Sequence, residues 1–404
     1  MATGLTVAAA AAALAWLYLL VGHGGFWRLR EWLPEPAHGD APWPAVVALI
    51  PARDEAATIA RTVASVLGQD YPGALTCIVT DDQSRDRTAE AACSGAAAVG
   101  AADRLTVRCG SDPPAGWTGK LWALAQAHAA AADGAAGAPP AYLWLTDADI
   151  VHDPGTLRRL VTKAEAADRD LVSLMVRLHA AGFWARLLIP PFVLFFRMLY
   201  PFAWANRPGT RTAAAAGGCV LLRRAALQRA GGFAAIAGAL IDDCALAARI
   251  KHHGRPGRGR IWIGQADAAH SLRAYRGLTE IWRMVARSGY AQLRFSPVVL
   301  VGTVLAMVLT FLLPPLVVLT WPLHGQAAAA TLGAAGWAAM AVAAAPTLRH
   351  YGQHAARGLL LPLAAALYTA MTLDSARAYH GGRGGFWKGR AQAHAGADRA
   401  GGCD

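Results

Sequence analysis

Long apolar runs at both ends of this chain enclose a middle rich in acids and arginines, and no single soluble core can hold all of it. Residues 5–22, LTVAAAAAALAWLYLLVG, carry no charge and are long enough for a helix to cross the hydrocarbon core of a bilayer. Trp27, Arg28 and Arg30 follow at once, an interfacial aromatic and the arginines that set a following domain on the cytoplasmic side. No basic residue precedes the run and no polar stretch with a clear cleavage site follows it. It therefore reads as an uncleaved anchor over residues 1–27, not as a leader.

A second apolar block closes the chain over residues 297–375. Residues 297–322 and 327–345 can each span; residues 358–373 are shorter and contain Pro362, which suits a re-entrant segment. The basic tail over 376–404, with Arg377, Arg383, Lys388 and Arg390, belongs in the cytoplasm by the positive-inside tendency, whereas three full crossings would put it outside. The number of crossings stays open. Between the blocks, residues 183–205 are apolar and aromatic but interrupted by Arg186, Pro190, Pro191, Arg197 and Pro201. They read as broken helices lying in the interface, with a buried core helix as the alternative.

Composition agrees. Charged residues are 16%, hydrophobic residues 55% and mean hydropathy is +0.30, which excludes a disordered chain and argues against a wholly soluble one. The net charge of +12 is almost entirely arginine, since Lys120, Lys163, Lys251 and Lys388 are the only lysines; arginine suits phosphates and anionic lipid surfaces. No aromatic-interleaved basic patch or zinc-finger spacing points to nucleic acid. Cys77, Cys93, Cys109, Cys219, Cys244 and Cys403 form no C-x-x-C pair, so neither a zinc site nor a disulfide framework is indicated, and a reducing compartment is the simpler reading.

The middle alternates strands and helices. Apolar runs at 45–50, 75–80, 104–108 and 141–146 predict strands; 55–68, 86–94, 119–131 and a segment from Pro154 predict helices. Such alternation argues a mainly parallel sheet covered on both faces, which binds ligands at the C-terminal ends of its strands. The polar clusters fall at those ends: PARDE at 51–55, DDQSRD at 81–86 and DAD at 147–149. Carboxylates gathered around one crevice repel one another unless cations are held there, and hard oxygen ligands suit Mg2+ or Mn2+. An acid after a strand can also simply cap the next helix, which suffices for Asp86 and Asp153.

GWTGKLWAL, residues 116–124, suggests a P-loop through Gly119 and Lys120, but Pro114 stands where that loop needs glycine and no Ser or Thr follows the lysine. What remains is a lysine near a helix N-terminus, placed to meet a diphosphate or merely solvated. GGCVLLRR at 217–224 and GGF at 231–233 precede LIDDCALAARIKHHG at 240–254. In a helix starting near Asp242, the Asp242–Asp243 pair occupies the first turn, where it compensates the helix dipole or presents one carboxylate as a general base of raised pKa. The run Arg249, Lys251, Arg255, Arg258 and Arg260 reads as a solvated or membrane-facing surface.

Taken in order, PARDE, DDQSRD, GWTGK, DAD, GGCVLLRR with GGF, and the Asp242–Asp243 pair resemble the motif set of family 2 glycosyltransferases with the GT-A fold, over residues 44–295. The terminal apolar blocks, IWRMVARSGYAQL at 281–293 and GGFWKGRAQ at 384–392 further resemble the hopanoid-biosynthesis-associated membrane glycosyltransferases of bacteria. The resemblance implies a Rossmann-like cytoplasmic domain on a multi-pass inner-membrane protein. Pro51, Ala52, Asp54 and Glu55 would line the nucleotide pocket and Asp82 would bond the base. Asp147 and Asp149 would form the D-x-D that meets the metal and the donor diphosphate, with Lys120 close to that diphosphate. Asp243 would deprotonate the acceptor hydroxyl, beside Asp242 where the family usually has glutamate.

Processive synthases of the family carry Gln-x-x-Arg-Trp after the catalytic acid, and residues 255–300 contain none; Arg283 and Arg287 occupy that region and would serve the leaving diphosphate. Transfer of one sugar from a UDP- or GDP-sugar to a lipid acceptor, with inversion, follows from these parts. A polyprenyl-phosphate sugar transferase is the rival enzyme, and a non-catalytic scaffold with a nucleotide-sugar-binding fold the rival of another class. A transporter is disfavoured because residues 297–373 offer almost no ionisable path.

Overall fold

The computed structural model describes residues 2–35, 42–133, 139–253, 259–382, 386–387 and 390–391. Arg255, Arg258, Arg383 and Lys388 lie outside the described residues, as does most of GGFWKGRAQ. The chain divides into two compact units, one of Glu31–His179, Trp204–Arg273 and Phe386–Asp404, the other of Met1–Arg30, Ala180–Ala203 and Ala274–Gly385.

The first unit is built on an eight-stranded sheet: β1 (Val46–Ala52), β2 (Leu75–Asp81), β3 (Leu105–Cys109), β4 (Tyr142–Thr146), β5 (Ile150–His152), β6 (Leu171–Arg177), β7 (Cys219–Arg223) and β8 (Ile261–Ser271), in the order β3-β2-β1-β4-β7-β6-β8-β5. β1, β2, β3 and β4 pair in parallel, as do β6 and β8, while β7 and β5 run against their neighbours. The sheet is thus mixed, mainly parallel as the alternation predicts. β1 is apolar at every position because both its faces are covered. Ala48 and Ile50 pack with Ile59, Val63 and Leu157 on one side, Val47 and Leu49 with Leu121, Leu124 and Ile250 on the other.

Register decides where the polar clusters meet. Ala52 pairs with Asp81, so the chain leaves β1 and β2 side by side. β4 ends one residue before Asp147. Because β7 is antiparallel to β4, with Thr146 opposite Cys219, its beginning lies at the end of β4 and brings Gly217 and Gly218 to the same edge.

The second unit is helical. Among the described residues, five stretches are long and apolar enough to cross a membrane: Gly4–Val21, Phe183–Ala205, Pro297–Leu319, Ala327–His350 and Ala355–His380. The last is longer than the segment 358–373 read from the sequence, since the chain is helical from Ala355 onward and runs past Asp374. Residues 183–205 differ from expectation as well. The helix Phe183–Leu199 continues through Pro190 and Pro191, and only Phe202–Ala205 is separate. Both prolines are buried among Leu187, Leu188, Ile189, Val193 and Leu194, so packing offsets the backbone bonds they remove. Arg197 is buried rather than facing water, donating to the Arg28 carbonyl with its guanidinium 5.1 Å from the Phe202 ring.

The same logic explains the third helix. It passes through a π-helical stretch, Val308–Leu312, before Pro314 and Pro315. Pro314 has no N–H to give the Thr310 carbonyl, and the Trp16 indole donates to that oxygen instead, at 2.7 Å. Small residues allow close helix contact here: a Cβ on Gly333 would stand 2.8 Å from the Pro314 carbonyl oxygen.

Candidate active site

At the common strand edge, Pro51, Thr146, Asp147, Lys120, Gly217, Phe233, Asp242 and Asp243 line one pocket of the α/β unit. Lys120 comes from the first turn of the helix Gly119–Asp133, whose start Thr118 supports by accepting from the Leu121 N–H at 3.4 Å. Its ammonium lies 2.9 Å from Asp147 Oδ1 and 3.1 Å from Asp242 Oδ2. Despite the burial of the lysine, Asp147 and Asp242 hold its pKa above the ordinary value, so it stays charged. A solvated lysine is thereby excluded.

Asp243 opens the helix Asp242–His253. Its Oδ2 accepts the Gly217 N–H at 2.9 Å and its Oδ1 the Cys244 N–H at 2.7 Å. Burial and the neighbouring Asp242 carboxylate push Asp243 up to about 6, against the opposing pull of Lys120 and the two backbone donors. The result is a carboxylate fixed in orientation and poised to take a proton near neutral pH. Gly217 is part of that fixation: a Cβ there would stand 3.3 Å from Lys120 Nζ and 3.4 Å from Asp243 Oδ2. Sequence reading marked the Gly217–Gly218 pair without giving it a task. The signal was present, since two glycines directly before a buried strand indicate close approach of backbone to something else.

Asp149 faces Ser271, whose hydroxyl donates to its Oδ2 at 3.1 Å, and its own carbonyl accepts the Leu272 N–H at 2.8 Å. Burial first, then repulsion from Asp147 and Glu55, raises Asp149 to about 6. Ser271 was not foreseen, because β8 is remote in sequence and its end carries no acidic signature.

The remaining expected residues take structural positions of their own. Ala52 is buried at the end of β1. Asp54 is exposed at a φ of 51°, a left-handed conformation that aspartate tolerates. Its N–H donates to Ser84 Oγ and its Oδ1 accepts the Arg85 N–H at 2.7 Å, while the Glu55 N–H donates to Thr88 Oγ1. These bonds join the loops after β1 and β2. Asp82 is buried against Arg53, 3.5 Å from its guanidinium, a partner the sequence did not reveal. Asp86 stands one residue before the N-cap of the helix Thr88–Ala97, where its Oδ1 accepts the Thr88 N–H at 3.1 Å and its Oδ2 the Ala56 N–H at 3.0 Å, so it also joins the two loops. Arg283 lies on the helix Leu278–Ala286 and Arg287 directly after it, both in the helical unit.

Within the basic run after Asp243, the expectation of a solvated side chain fails at Lys251. Lys251 is fully buried and donates to the carbonyls of Ala205, at 2.7 Å, and Thr212, at 2.6 Å. Arg249 donates to the Ala230 carbonyl and Arg260 pairs with Asp168. Lys251 and Arg249 thus hold neighbouring loops, whereas Arg260 is exposed as expected and Arg255 and Arg258 lie outside the described residues.

The sequence model of the glycosyltransferase like family 2 matches residues 44–257, more than half of the chain. Among solved structures, the chain is similar to mannosyltransferase PcManGT from Pyrobaculum calidifontis in complex with GDP-Man and Mn2+. Identity is 20% over 94% of this chain and 98% of that one, with a TM-score of 0.53, a likeness of fold. It is also similar to glucosyl-3-phosphoglycerate synthase from Mycobacterium tuberculosis in complex with phosphoglyceric acid, at 19% identity over 66% of this chain and 88% of that one, with a TM-score of 0.37. No curated protein sequence matches.

Proposed function

The chain belongs to glycosyltransferase like family 2 and has the mixed α/β sheet of the GT-A fold, and on that premise we propose that it moves one sugar from a nucleotide diphosphate sugar to the hydroxyl of a membrane lipid, with inversion. The observation that carries the mechanism is Asp243. It is a carboxylate whose two oxygens are each held by a backbone N–H, raised to about 6, in a pocket that also contains Lys120 and Asp147. Asp243 takes the acceptor proton as the hydroxyl attacks the anomeric carbon from the face opposite the leaving diphosphate. Asp242 and Asp147 hold Lys120 beside the pocket, where its charge meets the diphosphate. The other two carboxylates of the pocket, Asp147 and Asp242, are each engaged by Lys120, so a single displacement is the simpler course.

The D-x-D fits a divalent cation, Mg2+ or Mn2+. Asp149 is repelled by Asp147 and Glu55, and a cation would relieve that crowding. Among the described residues no three His, Cys, Asp or Glu side chains form a complete metal site, so the donor's phosphates and water would supply the other ligands. Asp149 and Asp147 would hold the ion, and bound there it would neutralise charge on the departing diphosphate. Arg283 and Arg287 are proposed to serve the same group.

The five helices long and apolar enough to cross a membrane among the described residues support a lipid acceptor, and the narrower resemblance favours a hopanoid. The bacterial inner membrane, with the α/β unit in the cytoplasm, is the location proposed, with the anchor over 1–27, the transferase domain over 44–295, the second block over 297–375 and the tail over 376–404. The test is to incubate solubilised protein and bacterial membrane lipids with labelled UDP- and GDP-sugars and Mg2+ or Mn2+, following label into the organic phase. Metal-dependent labelling of one lipid that is lost in Asp243→Asn identifies donor and acceptor together. Donor binding without labelled product under every combination would refute lipid transfer.

A further inference from the structure

The helical unit holds a groove lined by none of the residues given a role in the transfer. It is lined by Arg186, from the first turn of the helix Phe183–Leu199, by Arg357, from the 3-10 turn Ala355–Leu360, and by Thr347, Leu194, Leu348 and Leu361. Its chemistry is divided. The leucines offer an apolar wall, whereas the two guanidiniums have no ion-pair partner among the described residues. Thr347 is 1% exposed, and its hydroxyl has no hydrogen-bond partner among the described residues although burial without one is costly. Arg186 also stands at a helix N-terminus with no acid in that turn, where a cation is opposed by the dipole unless an anion joins it. Gly358 lets the turn carrying Arg357 press against the helix Ala327–His350, since a Cβ there would stand 2.8 Å from the Ala341 backbone.

We propose that this groove binds an anionic phospholipid. Its phosphate sits with Arg186 and Arg357, Thr347 bonds an oxygen where headgroup joins chain, and an acyl chain lies along Leu194, Leu348 and Leu361. Two unpaired cations, one unsatisfied buried hydroxyl and an apolar wall match the three parts of such a molecule in order. The proposal rests on the membrane reading of these helices and is independent of the sugar transfer, because the lipid is bound and not consumed.

Native mass spectrometry of the full chain in mild detergent, titrated with phosphatidylglycerol or phosphatidylcholine of equal chain length, reads this directly. Phosphatidylglycerol should be retained about ten- to thirtyfold better, because both lipids offer a phosphate to the two arginines but only phosphatidylcholine adds a quaternary ammonium that the guanidiniums repel and that cancels its net charge. The double variant R186Q/R357Q should lose that preference, and R349Q/R377Q, which removes two exposed arginines of the same unit, should keep it. Thr347→Val preserves shape and charge and should lower retention of both lipids severalfold, which covers the case of a poorly folding double variant. Equal retention of the two lipids by wild type, or an unchanged preference in R186Q/R357Q, overturns the proposal. So does displacement of the lipid by glycerol phosphate at matched concentration, since the ligand would then be a free anion. None of these readings depends on turnover, so failure here and failure of the transferase reading are separate results.

Discussion

At the residue scale the chemistry rests on how Asp243 is held. Replacing it with asparagine should lower turnover by about 10²- to 10⁴-fold, the usual worth of a positioned base, while donor binding measured by calorimetry stays within a few fold. Because the base acts deprotonated, kcat/KM should fall about tenfold per pH unit below about 6, not below 4 as for an ordinary aspartate. The stability consequence has the opposite sign from that of a salt-bridged acid. A folded-state pKa above the unfolded value favours the fold at low pH, and that benefit is lost as pH rises through about 6. The melting temperature of Asp243→Asn relative to wild type should therefore improve between pH 4 and 7 and level off above. Lys120 opposes the rise at Asp243, so Lys120→Gln should move the acid limb of the pH–rate profile to higher pH. An unmoved limb would mean that the lysine does not sense the base. Neither effect is visible in the sequence, where Lys120 and Asp243 are 123 positions apart and only the antiparallel entry of β7 explains why Gly217 stands between them.

At the element scale, β1 to β4 were legible as the apolar runs at 45–50, 75–80, 104–108 and 141–146, whereas β5 to β8 were not read as strands. Nor was the direction of β7 legible. Nothing in Cys219–Arg223 says that it runs against β4, since a strand covered on both faces looks the same in either sense. The helix Phe183–Leu199 was obscured by Pro190 and Pro191, whose local preference to end a helix is overridden by burial on several sides. Helix packing can be tested where no chemistry interferes. Gly95, on the helix Thr88–Ala97, lies against the helix Ile59–Leu67, and a Cβ there would stand 2.2 Å from the Ala60 carbonyl oxygen. Backbone cannot yield as a side-chain tip does. Gly95→Ala should cost about 1–3 kcal/mol despite alanine's better helix propensity, read as a lower melting temperature with unchanged secondary structure by circular dichroism. A variant as stable as wild type would show that the two helices can separate at little cost.

At the scale of the whole molecule, the claim most open to direct test is the side of the membrane on which the α/β unit lies. Arg28 and Arg30, directly after the first apolar helix, argue for the cytoplasm, where nucleotide sugars are made available to a site of this kind. The chain carries its own probes. Cys93 and Cys109 are exposed on the α/β unit, whereas Cys77, Cys219 and Cys244 are buried, with burial pushing the Cys77 and Cys219 thiols up to about 12. A thiol of that pKa is almost wholly protonated at neutral pH and reacts slowly. In a Cys403→Ser background, a membrane-impermeant maleimide should leave the protein unlabelled in intact spheroplasts and label it once the membrane is opened. Cys93→Ser with Cys109→Ser should abolish that second signal, which ties it to the α/β unit. Labelling in intact spheroplasts would place the unit outside, and the donor would then have to be a lipid-linked sugar presented on that face, since soluble nucleotide sugars are not supplied there.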